Sequence, residues 1–230
     1  MPVRRWITFS GVDDSMEKRQ RIPGPAISVE IPPGYHELPL TGIATAVRAA
    51  EPVLLRSTTG SLRESVPATL GTLEFLLGAL AVRRAVYCGI GMHRGDAGQP
   101  VTSWLTISCK DAGEPRNPRL VILDLAQAKL RDEVPWRVEP VEIESRPVLF
   151  TEGVRRYPAP DLPAAPDVGD DALAFQMEAL IPSSDGTTVA VIEVATTSLE
   201  SGPEFAPMLF MMAASLEFEA SASGAGSLDL

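Results

Sequence analysis

The chain has 230 residues, 45% of them hydrophobic and 22% charged, a globular composition that can bury a core and is unlike a disordered chain. Its net charge of −10 argues against a nucleic-acid binder that needs many phosphate contacts, and against docking on anionic lipid. The charge is uneven: residues 1–156 hold all 20 Lys and Arg against 18 acids, whereas residues 157–230 hold 12 acids and no Lys or Arg.

Val3 to Phe9 alternates as a strand does, and the polar connector after it ends in Pro23-Gly24-Pro25, so residues 1–26 are expected to form a mobile N-terminal arm. Ala26 to Ile31 is a short strand-prone run, closed by the turn signal Pro32-Pro33-Gly34. A helix is expected from Ile43 to Arg56, broken or kinked at Pro52. Ser61-Leu62-Arg63-Glu64 has capping-box form and opens a helix to Val82, with Leu62, Val66, Leu70, Leu73, Leu77 and Leu80 at three- and four-residue spacings. Pro67 predicts a kink or a later start there.

From Arg84 the period changes to two. Val86, Cys88, Ile90 and Met92 alternate, residues 94–99 turn the chain, and Val101 to Cys109 returns as the second strand of a hairpin. Asn117-Pro118 starts a short helix whose apolar side would be Leu120, Leu123 and Leu130. Val138 to Ile143 and Pro147 to Tyr157 read as strands around Ser145-Arg146-Pro147. A proline-rich surface loop follows to Asp167. Leu173 to Ile181 then alternates, Ser184-Asp185-Gly186 turns, and Thr188 to Ala195 is apolar on both sides, as in a central strand. Pro203 to Ser215 reads as a helix packing Phe205, Met208, Leu209 and Met212, Leu216 to Phe218 adds a last strand, and residues 221–230 are expected to be a disordered tail. The sum is one α+β domain over residues 27–220, an antiparallel sheet flanked by helices.

Two segments carry a family likeness. One is Thr196-Thr197-Ser198 leading into residues 204–215, with Phe205 early, Ser215 at the end and Leu216-Glu217-Phe218 after it; the other is Ile31-Pro32-Pro33-Gly34-Tyr35-His36. With the element order, they resemble the PsbP/DcrB-like, Mog-type α-β-α sandwich family over roughly residues 27–220. The chain departs by lacking a lipobox cysteine and by a long, insertion-like helical region from Pro23 to Val82. The resemblance implies binding or accessory work, such as assembly factors and secretion chaperones, and carries over no catalytic residues.

Catalytic chemistry finds little support. His36 and His93 are far apart, Cys88 and Cys109 have no CxxC partner, and Cys88 and His93 would lie on opposite faces of one strand, so no metal or cofactor is expected. Both cysteines read as small core hydrophobes. A hairpin centred near Ala97 pairs Cys88 with about Thr106, which argues against a disulfide to Cys109. No Gly-x-Ser-x-Gly elbow is present, and Gly89-Ile90-Gly91 lies within a strand, where it reads as a bulge or a place of close packing. The pairs Asp13-Asp14, Asp132-Glu133 and Asp170-Asp171 fall in loops. Tyr157-x-x-x-Asp161 matches a short type VII export signal but sits in a proline loop, so chance explains it better. The apolar stretch near the start is too short for a signal peptide, and no window approaches 18 consecutive apolar residues, so neither export nor membrane insertion is expected.

The leading expectation is a non-catalytic cytoplasmic binding or adaptor protein, an accessory or chaperone for a secretion system or another large assembly. Its partner would be a protein, met through the acidic C-terminal half or the arm around Trp6, with Arg83, Arg84, Arg94, Arg155 and Arg156 as candidate contacts. These arginines either form one patch with Arg116 and Arg119 or are scattered and solvated. The competing expectation is a small-ligand binder or enzyme with a pocket over the sheet near Tyr87, Gly89, Gly91 and Trp104. A third is self-assembly by exchange of the arm.

Overall fold

The computed structural model describes residues 5–8, 27–96, 98–157 and 172–219. They form, in chain order, β1 (Arg5–Thr8), β2 (Ile27–Ile31), β3 (Tyr35–Glu37), α1 (Ile43–Ser57), α2 (Gly60–Val82), β4 (Ala85–Arg94) and β5 (Pro100–Asp111). Next come α3 (Pro118–Leu130), β6 (Arg137–Ile143), β7 (Arg146–Tyr157), β8 (Ala172–Pro182) and β9 (Thr188–Thr196). A 3-10 segment, Leu199–Phe205, then leads into α4 (Ala206–Ser215) and β10 (Glu217–Phe218).

Seven strands make one antiparallel sheet in the order β3-β4-β5-β9-β8-β7-β6, and β1-β2-β10 make a second, small one. The fold is α+β, with helices flanking an antiparallel sheet. Period-two patterning decides the faces. Leu105, Ile107, Met177, Ala179, Ile181, Ile192 and Val194 join the main core, packed with Ile27 and Val29 of β2 and with Leu209, Met212 and Ala213 of α4. On the other face Leu149, Leu180, Val189 and Val191 pack under Val121 and Ile122 of α3. Central β9 is buried on both faces, which is why it carries an almost unbroken apolar run.

Local chemistry sets several boundaries. Asn117 caps α3: its Oδ1 accepts from the Arg119 amide at 2.9 Å, with Pro118 at the first helical position. The β6–β7 turn has Glu144 and Ser145 at φ 49° and 67°, the left-handed pair that a two-residue hairpin requires. In the β8–β9 turn the Asp185 carboxylate accepts from the Ser183 hydroxyl at 2.6 Å and the Thr187 amide at 3.1 Å. The Ser183 bond is the main reason its carboxyl lies below the usual range. Gly186 stands at φ +71°, and a Cβ there would overlap the Arg116 carbonyl.

Three expectations are corrected. α1 runs unbroken through Pro52, and α2 through Pro67. The capping box does not form: α2 starts at Gly60 behind Thr59, which makes no side-chain cap, and Ser61 is already helical. On α3 the supposed apolar side, Leu120, Leu123 and Leu130, is exposed, while Val121 and Ile122 are buried with Leu125 and Ala126 beside them. Both stripes have helical spacing, so the shape of the facing sheet made the choice. At α4 the expectation holds: Phe205, Met208, Leu209 and Met212 pack inward, while Phe210 and Met211 are exposed. The expected arm falls largely outside the described residues; within it Trp6 lies in β1, in register with Glu30 of β2. The proline loop with Asp161, and the C-terminal tail, also lie outside them.

Candidate functional site

The residues proposed for a pocket over the sheet do not meet. Tyr87, Gly89 and Gly91 pair with Ile107, Leu105 and Ser103, whereas Trp104 pairs with Ile90 and shares the opposite face. Nor is there open space above the glycines. A Cβ on Gly89 would lie 2.6 Å from the Tyr87 hydroxyl, and one on Gly91 would overlap His93 and sit 2.9 Å from the Tyr35 ring. Gly89 and Gly91 are therefore places where aromatic rings lie directly on the strand.

Those rings form a small hydrogen-bonded cluster. The Ser103 hydroxyl bonds Tyr35 Oη at 2.7 Å and His93 Nε2 at 2.8 Å, and Phe205 meets the imidazole edge-on at 5.2 Å. Burial pushes the Tyr35 phenol up to about 12 and lowers His93, so the imidazole is neutral at pH 7. Serine beside histidine is the start of a nucleophilic pair, but the pair needs a group orienting the far imidazole nitrogen and access for a substrate. Ser103 is only 2% exposed, and no such orienting bond exists among the described residues. The cluster ties edge strand β3 to β5 across β4.

The opposite face holds a polar network. Glu178 and Glu193 stand directly opposite each other on β8 and β9. Glu178 accepts from Gln176 Nε2 at 2.9 Å and from Thr151 Oγ1 at 3.1 Å, and is ion-paired with Lys129 at the end of α3. Tyr157 donates to Gln176 at 2.7 Å, and Lys129 Nζ lies 4.0 Å from the centroid of the Trp136 ring. Glu193 gains no hydrogen bond or ion pair among the described residues. Burial, then the Glu178 carboxylate, raises it above the usual carboxylate range. Every partner of Glu178 is spent on holding β7, β8 and α3 together, so this face reads as a structural clamp with one strained acid.

The cysteines match expectation: Cys88 pairs with Thr106, and burial pushes its thiol to about 12 and that of Cys109 to about 11. The candidate arginines are dispersed. Arg83 and Arg84 precede β4 while Arg94 ends it, about 30 Å away along the strand. Arg155 and Arg156 lie on β7, with β5, β9 and β8 in between. Arg116 and Arg119 are ion-paired with Asp124 and Glu142.

Two surfaces remain. A cleft of ≈ 410 Å³ opens between α4 and the strands β6 and β7, floored by Val141, Phe150 and Met177, with Phe210 on one wall and Arg137, Glu139 and Glu152 at the rim. The second is the α1–α2 hairpin. β3 and β4 are antiparallel neighbours that a turn of 2–5 residues could join, yet residues 38–84 intervene. In α1 no residue is buried, and in α2 only Val66, Leu70 and Leu77 are. Val53, Leu62, Phe75 and Val82 are 54%, 67%, 64% and 84% exposed. By length and composition α2 is apolar enough to cross a membrane. It reaches that length with Gly, Thr and Ala between its leucines, so a search for unbroken apolar runs passes over it.

Comparison with protein-family models, with curated proteins and with solved structures finds no match for the chain.

Proposed function

We propose that the chain is a non-catalytic binding protein of the cytoplasm, an adaptor whose docking element is the α1–α2 hairpin. The observation that carries this reading is the exposure of Leu62, Phe75 and Val82 on a helix inserted between two strands that already pair. The β3–β4 pairing does not require the insertion, and a helical hairpin that leaves so many large apolar side chains exposed marks an interaction site. The resemblance to PsbP/DcrB-like proteins points to the same class of work. The acidic C-terminal part, free of Lys and Arg, supplies solubility and an approach surface for a basic protein partner.

The test is the triple variant L62E/F75E/V82E. In lysate of the host, the wild-type chain should sediment with a particulate or high-mass fraction, and the variant should move to the monomer fraction with unchanged circular dichroism. Identical fractionation of the two would overturn the reading. The α4–β6 cleft favours a second reading, an apolar ligand or peptide held over Phe150; a ligand there would raise the melting temperature by mass action.

A further inference from the structure

We infer that the surface the hairpin fits is an anionic lipid bilayer, with α1 and α2 lying in the interface and the sheet held outside it. This rests on the reading that the hairpin is a docking element, and names what it docks on.

Three observations lead there. First, α2 is apolar on both sides. At about 100° per residue, Phe75, Ala79 and Val82 fall opposite the buried stripe Val66, Leu70 and Leu77. After Arg63 and Glu64 near its start, α2 carries one further charged side chain, Glu74, and a helix with apolar residues on both sides belongs in a protein core or in lipid; most of α2 is not in this protein's core. Second, the charge is inverted there. Residues 43–84 carry five arginines and three glutamates, net +2, against −12 for the rest of the chain. Arg48, Arg56, Arg63, Arg83 and Arg84 are all exposed, and none makes an ion pair among the described residues. Arginines beside an apolar helix lay their stems along the surface and carry their charge to anionic headgroups. The net −10 that argues against lipid docking resides elsewhere; it turns the sheet away from the bilayer and also opposes pairing of two copies.

Third, topology selects lying over spanning. β3 and β4 are hydrogen-bonded to each other, so the chain enters α1 and leaves α2 on the same side of any membrane. If α2 crossed, α1 would have to cross as well. Its 15 residues, with Arg48, Glu51 and Pro52, reach about 22 Å, short of a hydrocarbon core of about 30 Å. An interfacial hairpin has no such conflict.

Flotation of the full chain with vesicles tests this, using phosphatidylcholine alone and phosphatidylcholine with phosphatidylglycerol, with light scattering of the input. The wild type should float with the anionic vesicles, and less so as salt rises. L62E/F75E/V82E should bind more than about tenfold more weakly, and R83E/R84E should lose the preference for anionic vesicles while staying folded. Equal flotation of wild type and triple variant would overturn the inference. So would a wild type that stays in solution. In that case, a dimer that the triple variant abolishes would keep the docking reading with a second copy as occupant, and a monomer that fractionates like the variant in host lysate would end both.

Discussion

Glu193→Gln should stabilise the protein at neutral pH, against the usual direction of substitutions in a sheet. The wild-type carboxylate faces Glu178 across a β8–β9 pair, and like charges directly opposite are destabilising. Burial and that neighbour raise its folded value above the ordinary 4.5. The sign follows from proton counting. Above 4.5 the unfolded chain has released this proton while the folded chain still holds it, so stability falls as pH rises through the folded value. The penalty grows as pH rises through the folded value, whereas by pH 4 it is gone. An unpartnered, partly buried charge costs about 1–3 kcal/mol, so Gln should raise stability by about 1–2 kcal/mol at pH 8, or several degrees of melting temperature at this size. Urea unfolding of both proteins at pH 4 and pH 8 measures it. Glu178→Gln is the control of opposite sign, because it removes the charge paired with Lys129 and one of the two oxygens that accept from Lys129, Thr151 and Gln176; it should cost about 2–3 kcal/mol. An E193Q protein no more stable than wild type at pH 8, or a gain that persists at pH 4, would refute the argument.

The other predictions concern packing and local caps. Gly202→Ala should destabilise by about 1–3 kcal/mol, because a Cβ there would drive into the Phe175 ring; a neutral result in thermal melts would mean that the Leu199–Phe205 segment yields freely. Asn117→Ala should lose about 1 kcal/mol with the bond to the Arg119 amide, and Asn117→Asp should retain it. Cys88, fully buried with its thiol at about 12, should resist a thiol reagent at pH 8 until the protein unfolds, and rapid labelling of the native chain would contradict its burial.

Much of the sheet was legible because strands declare themselves by period. The β4–β5 register followed from counting outward from the turn near Ala97, and Cys88 does pair with Thr106. The same counting around Ser184-Asp185-Gly186 places Glu178 opposite Ile192, one residue short of its actual partner Glu193, because the turn is centred between Asp185 and Gly186; that clamp was therefore not within reach of the sequence. The dense glycines of β4 were read correctly as sites of close approach; Tyr87 and His93 of the same strand lay their rings on them, and only the Tyr35 ring depended on β3 folding back onto β4.

By itself the sequence determined the acidic balance, the α+β class, most turns and the cap of α3, all of which arise from interactions among residues near in the chain. Tertiary structure alone decided which stripe of a helix faces inward. α3 carries two acceptable stripes and buries Val121 and Ile122, because helical spacing specifies a face only relative to a partner surface. For α2 the leucine spacing predicted a helix, and the fold, chiefly through α1, covers it along only one narrow stripe, Val66, Leu70 and Leu77. Apolar character is written in the side chains, but burial is a property of what stands opposite them, and for Phe75 and Val82 nothing in the described chain does.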